Sequence, residues 1–297
     1  MSSHPLEIPI FGSESGVKAV GAGATRLELN RAGSYGEGGL TPTLEELQSL
    51  VSQLPPPASD GNETRRRPAV RIMIRPRGPP PKTEEVDFIY SDEEFEEMKS
   101  SLRQFKESGF LLAEENGDGF VFGILKKESN SSWTDRKGEG RCSVVIDEER
   151  TGELVKLAAP FTCVFHRAFD LVVDQGGKED VVKACRFLKD NGMEVLTSGG
   201  LGNAVDNLGT LKMIVKEFEG VLVVGGGLRK DNLGRIVEGL GGVDVVKSKT
   251  VYFHSSCLRA VEGKEEEFDE GEAMGICEIR EGLGEGWTEN EGRRLRR

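Results

Sequence analysis

Two of the three histidines stand where apolar runs end. His166 lies in Phe165-His-Arg-Ala-Phe-Asp170 and His254 in His254-Ser-Ser-Cys257. An imidazole titrates near neutrality and can move a proton or hold a metal through one ring nitrogen. His166 therefore reads as a general acid/base, with Asp170 placed to orient it or to pair with Arg167; the other reading is a hydrogen-bonded core histidine. Imidazole beside thiolate is a set that soft metals such as Cu(I) accept, which makes His254 and Cys257 a candidate metal pair, or else a turn with a buried thiol. Glu7, Glu28, Arg75 and Arg77 also stand in or just after apolar runs. A charge buried without a partner is costly, so Glu7 and Glu28 need Arg75 or Arg167, or a solvated pocket, unless the charges form a network that closes off the site. In a pocket, Glu7, Glu28, Arg75, His166 and Asp170 form a catalytic set, and Arg77 and Arg167 hold an anion. Two glycine turns, Ser198-Gly199-Gly200 and Gly225-Gly226-Gly227, could cradle a phosphate through backbone N–H groups, or reflect tight packing; with Ser255 and Ser256 they complete the candidate substrate-binding set. No Walker, dinucleotide, HExxH or GxSxG motif is present.

Those residues need a scaffold that brings distant segments together. Short β-branched or apolar runs at 6–10, 26–30, 69–75, 119–125, 161–166, 194–198, 221–224 and 251–254 read as strands. Helical periodicity separates them at 13–22, 43–54, 92–108, 148–159, 178–191, 204–218 and 231–240. The third of these helices is the clearest, with Phe95, Met98, Leu102 and Phe105 on one face and Ser91 and Glu94 as a capping box. Eight strands alternating with helices in about 250 residues predict an α/β chain folded as a (β/α)8 TIM-type barrel, whose functional groups collect at the C-terminal strand ends. By strand alternation, Glu7, Pro9, Glu28, Asn30, Met73 and Arg75 share the inward parity. Cys163 has the parity opposite to His166 and should face the helices.

The barrel is expected over residues 1–260, with loop insertions near 55–68, 79–86 and 126–141. An acidic, glycine-rich tail with little order should follow at 261–297. The formal net charge of −12 argues against nucleic acid and anionic membranes as partners, and Arg65–Arg67 reads as a solvated loop. No leader or membrane-spanning run is visible in the sequence, so a soluble cytoplasmic protein is expected. Five dispersed cysteines without a CxxC pair point to reduced thiols. A homo-oligomer is left open.

The successive blocks Leu6-Glu-Ile8, Arg26-Leu-Glu-Leu29, Glu37-Gly-Gly-Leu-Thr-Pro42, Met73-Ile-Arg-Pro-Arg-Gly78, Asp87-Phe-Ile-Tyr-Ser-Asp92, Phe165-His-Arg-Ala-Phe-Asp170, Leu196-Thr-Ser-Gly-Gly200 and Phe253-His-Ser-Ser256 resemble those of the CutC copper-homeostasis family. The resemblance implies a (β/α)8 barrel, a cytoplasmic location and a role in copper homeostasis, with copper as Cu(I) a candidate ligand. The alternative is an enzyme acting on a small anionic, even phosphorylated, substrate at the C-terminal barrel face. Members of that family often carry cysteines, the proposed Cu(I) ligands, where this chain has Pro9 and Asn30. The arginine they place after the final strand motif is here Leu258, with Arg259 one place late. Copper would then depend on His254 and Cys257.

Overall fold

A computed structural model describes residues 5–56, 67–81, 85–128, 143–248, 250–260 and 266–282. In chain order its elements begin with β1 (Leu6–Ile10), α1 (Ser13–Gly21), β2 (Arg26–Leu29), a 3-10 turn at Tyr35–Glu37, α2 (Leu44–Gln53), β3 (Ala69–Met73), α3 (Asp92–Glu107), α4 (Ala113–Asn116) and β4 (Gly119–Phe122). A small hairpin follows from β5 (Leu125–Lys127) and β6 (Val144–Ile146), then α5 (Glu148–Ala158), β7 (Thr162–Phe165), α6 (Ala168–Gln175), α7 (Lys178–Asp190) and β8 (Glu194–Thr197). The chain continues through α8 (Leu208–Glu217), β9 (Leu222–Val224), α9 (Leu233–Leu240), α10 (Val243–Ser248), β10 (Val251–His254), β11 (Leu258–Arg259), β12 (Glu267–Phe268) and α11 (Glu270–Gly282).

Eight parallel strands close in the order β1-β10-β9-β8-β7-β4-β3-β2, which is the expected (β/α)8 barrel. Closure leaves no unpaired barrel edge. Alternation along each strand divides the core in two. Leu6, Ile8, Leu27, Ile72, Phe120, Cys163 and Val195 face the helices in one large apolar cluster. Met73, Val121, Val164, Leu196 and Val223 fill the barrel interior as a separate layer. Helix starts follow the local chemistry: α2 and α3 both open on complete capping boxes, Thr43 with Glu46 and Ser91 with Glu94.

Several expectations change. The strand expected over 119–125 stops at Phe122, and Leu125 starts the hairpin, so the insertion near 126–141 springs from an antiparallel pair. Its centre, with the bulk of the 55–68 insertion and the middle of 79–86, lies outside the described residues. Arg67 is not solvated: it is buried and paired with Asp118 beneath the barrel. Helices α6 and α10 were not anticipated. The expected acidic tail is ordered in part: its Glu267–Phe268 pair with Leu258–Arg259, and its α11 buries Ala273, Ile276 and Cys277 against α1 and α9. Residues 283–297 lie outside the described residues. No helix of the described residues is long and apolar enough to cross a membrane.

Candidate functional site

Charged side chains occupy the barrel interior beneath the mouth. Arg26, at the start of β2, donates to Glu7 on β1 and, at 2.6 Å, to Glu194 on β8. Arg71 on β3 reaches the other oxygen of Glu194 at 3.0 Å. All four are buried. The Arg26 guanidinium also lies 4.4 Å from the centre of the Tyr252 ring. Glu7 was expected to find Arg75 or Arg167; it finds Arg26 and His254 instead. Its second oxygen stands 2.7 Å from His254 Nδ1. Burial by itself would raise the Glu7 carboxyl, yet Arg26 and His254 hold it down at about 2. In return, Glu7 and Glu28 raise His254 above its ordinary value against the effect of burial. The network that the sequence suggested for the top of the barrel is thus inside it, and Glu7 joins it to the mouth.

Above the apolar layer a cavity of about 790 Å³ opens at the C-terminal strand ends. Glu28, Arg75, His166 and Asp170 line it, as expected of the catalytic set, while Glu7 lies below. Glu28 accepts from Asn30 Nδ2 at 3.1 Å through one oxygen, and its other oxygen is buried without a partner among the described residues. Burial raises its pKa, and the charge of Glu7 adds to the rise while His254 opposes it. His166 Nδ1 accepts the N–H of Ala168, the first residue of α6, at 3.2 Å. With Nδ1 an acceptor, the neutral ring carries its proton on Nε2, and that nitrogen is buried with no partner among the described residues. Burial, aided by Arg75 and Arg167, puts the His166 pKa well below 6.5, so the ring is a neutral donor rather than a base at pH 7.

Arg75 is buried, and two of its three guanidinium nitrogens are partnered within the protein, while Nε has no partner among the described residues. It donates to the carbonyls of Glu37 at 2.6 Å and Gly39 at 3.1 Å and to Asp87 at 2.9 Å. Arg167 differs: it has no ion pair within 4 Å among the described residues. The residue is exposed at the rim, but its guanidinium leans inward to share the space over Gly38 with that of Arg75. Phe88 sits between these groups, 4.8 Å from the His166 ring, 5.0 Å from Arg75 and 6.0 Å from Arg167. It does so with a φ of 65°, a left-handed conformation that a bulky residue adopts only under strain from its surroundings.

The two glycine turns have different fates. Asp170 was expected to orient His166 or pair with Arg167, and does neither. Its carboxylate accepts from Thr197 Oγ1, Ser198 Oγ at 2.9 Å, and the N–H groups of Ser198 at 3.0 Å and Gly200 at 3.2 Å. Burial raises its pKa while these donors pull it down. The first turn is already filled by an internal anion, and Gly199, its N–H on Thr197 Oγ1, does not line the cavity. The second turn stays open. The carbonyls of Gly226, Gly227 and Leu228 point away to Ala204 N–H, Asn232 Nδ2 and Ser255 Oγ at 2.9, 2.8 and 2.7 Å. In a trans peptide the N–H points opposite to its carbonyl, so the N–H groups of Gly227 and Leu228 face away from those donors. At Gly226, φ is 88° and a Cβ would come 2.5 Å from Ser198 Cβ, so glycine is required. Gly225 and Ser256 line the cavity as expected, whereas the hydroxyl of Ser255 is taken by Leu228.

Two further assignments fail on geometry. Arg77 lies outside the cavity, donating to Glu94 at 2.6 Å and the carbonyl of Ile89 at 2.7 Å, where it braces the start of α3. Cys257 is fully buried in the apolar core, not in the mouth, and burial pushes its thiol up to about 11. Cys163 faces the helices, at about 12 for the same reason.

Glu7, Glu28 and His254 are the described group that could surround a cation, with ligand atoms within 4.8 Å of one another. Both Glu7 oxygens are engaged, which leaves one Glu28 oxygen and one imidazole nitrogen. That is fewer protein ligands than a catalytic zinc site uses, and no cysteine among the described residues lines the mouth to favour Cu(I). Sequence reasoning missed Arg26, Arg71, Glu194, Asp87 and Phe88. The first three share inward parity with Glu28, Met73 and Leu196 on their strands, which was the available signal.

A model of the CutC family matches residues 5–251. The chain is 34% identical over 242 residues to a Homo sapiens protein named copper homeostasis protein cutC homolog, covering 80% of this chain and 71% of that one. It is 32% identical over 248 residues to a Treponema denticola protein named as a CutC family protein, covering 83% and 81%. A crystal structure of the CutC protein of Streptococcus agalactiae shares the fold at a TM-score of 0.60 and 22% identity, covering 84% of this chain and 98% of that one.

Proposed function

The chain belongs to the CutC family, and on that premise we propose that it serves copper homeostasis in the cytoplasm through a small anionic ligand taken into the barrel mouth. The role in copper homeostasis comes from the names of its relatives. One observation carries the ligand class: Arg167 leans over the cavity beside Arg75, and of the two only Arg75 has a carboxylate partner among the described residues. An excess guanidinium in a partly dehydrated site favours an anion strongly, because low dielectric strengthens the attraction. The neutral donor at His166 Nε2 and the Gly227 and Leu228 N–H groups offer further hydrogen bonds to it. Direct Cu(I) binding is disfavoured by the donor set, which is carboxylate and imidazole where Cu(I) prefers sulfur.

Calorimetric titration of the protein with inorganic phosphate and with pyruvate, beside Cu(I) competition under reducing conditions, tests this reading. Millimolar or tighter anion binding, weakened at least about tenfold in Arg167→Ala, is the expected result, given that a charge-assisted hydrogen bond contributes roughly 1.5–3 kcal/mol. Tight Cu(I) binding with no anion binding would overturn it.

A further inference from the structure

We propose that the barrel mouth catalyses reversible removal of a proton from the carbon next to a carbonyl in a small anionic oxo compound, with Glu28 as the base and His166 Nε2–H as the donor to the carbonyl oxygen. This rests on the anion-binding reading above and adds a reaction to it. Its basis is a pair of unsatisfied groups at the ends of two strands facing one cavity. Glu28 follows β2 alternation inward, is 4% exposed, and keeps one carboxylate oxygen without a partner. His166 follows β7, is 2% exposed, and keeps one ring nitrogen without a partner. Buried polar groups are almost always hydrogen-bonded; among the residues lining this cavity Asn30 Oδ1, Arg75 Nε and Arg229 Nη1 also lack a partner, and the Glu28 oxygen and the His166 nitrogen are the two that could act on a ligand as base and as neutral donor. One is an acceptor and the other a donor, which is what a carbon acid and its carbonyl oxygen require.

The surroundings suit each role. The carboxylate of Glu28 is fixed at one oxygen by Asn30, which leaves the other to face the ligand. The imidazole of His166 is fixed at Nδ1 by the first N–H of α6 and packed against Phe88. A base is most effective when its pKa approaches the working pH, and burial moves Glu28 in that direction. A neutral imidazole can polarise a carbonyl without giving up its proton, and burial with two nearby guanidiniums keeps His166 neutral. Arg167 and the Gly227–Leu228 turn would hold the anionic end.

In the step, the Glu28 carboxylate takes the proton, the C–H electron pair becomes the carbon–carbon double bond, and the carbonyl π pair moves onto oxygen. The developing oxyanion accepts the hydrogen bond from His166 Nε2–H. The proton returns from Glu28 to carbon, and no oxidant or co-reactant is needed. His254, within 4.8 Å of Glu28 and partly exposed, offers the carboxyl a route for exchange with solvent. Glu7 acts only through His254, as a positioning residue.

The test uses the whole chain in D2O with dihydroxyacetone phosphate and, separately, pyruvate. Binding is followed by calorimetry, and loss of the proton next to the carbonyl by NMR. The expected result is binding of at least one probe with exchange above the protein-free rate. Glu28→Gln should lower that exchange at least about a hundredfold, with binding changed less than about threefold, and His166→Gln should lower it about a hundredfold or more. A probe that binds without catalysed exchange, or exchange unchanged in Glu28→Gln, overturns the proton-transfer inference and leaves the anion-binding reading standing. If neither probe binds, both fall.

Discussion

Replacing Glu7 by Gln should destabilise the protein in a pH-dependent way. Glu7 is fully buried, with Arg26 on one oxygen and His254 on the other. Its carboxyl is held near 2 against an ordinary 4.5. A folded-state pKa below the unfolded value contributes stability that is present above the unfolded pKa and lost as pH falls through the folded one. Taken over the whole interval, the difference corresponds to about 3 kcal/mol at pH 7, and linkage leaves about 1 kcal/mol of it at pH 3. The glutamine variant lacks this contribution at every pH. Its melting temperature should therefore lie about 6–12 °C below wild type at pH 7, at roughly 2–4 °C per kcal/mol for a domain of this size. The gap should narrow to about a third of that by pH 3. Thermal unfolding by circular dichroism at half-unit steps from pH 7 to pH 3 measures both quantities. A variant that melts within about 2 °C of wild type at pH 7, or a gap that stays constant on acidification, would refute the reasoning.

The histidines should titrate apart in NMR spectra of the ring protons. His254, raised by Glu7 and Glu28, should have its midpoint above 6.5, and the stability from its charged form is present below 6.5 and lost as pH climbs through that midpoint. His166, depressed by burial and two arginines, should have its midpoint well below 6.5; its contribution is present above 6.5 and lost as pH falls. A His166 midpoint near 6.5 would contradict this. Asp87→Ala strands the buried Arg75 guanidinium and should cost about 3–5 kcal/mol in urea unfolding, whereas an unchanged midpoint would show that Arg75 relaxes toward water.

The barrel was legible because each strand is a short apolar run and each helix carries a 3.6-residue stripe, so period and length agree over most of the chain. Strand parity also brought Glu28, Arg75, His166 and His254 to one mouth. Parity stops at strand ends, however, and the roles of the groups there depend on loops. Nothing in the residue type of Phe88 signals a left-handed backbone, yet that conformation wedges its ring between Arg75 and His166. Asp170 follows His166 at helical spacing, but α6 carries it toward the 198–200 turn and its four donors. Cys257 carries a positive φ of its own, 47°, which no pattern in His-Ser-Ser-Cys announces. Helix α11 was hidden because its buried face consists of Ala273, Ile276, Cys277 and the charged Arg280 among glutamates and glycines, too thin an apolar stripe to stand out.

The contact between Glu7 and His254 also has a bearing on how the chain reaches its native state. The two residues are 247 positions apart and occupy the strands that seal the barrel, β1 and β10. Contacts of such high sequence separation carry a large loop-closure entropy and form slowly. During synthesis the first strand must wait, its carboxylate solvated, until nearly the whole barrel has left the ribosome. Orientation of His254 therefore waits on closure, so an incompletely closed barrel, whatever else it has folded, holds an imidazole without its partner.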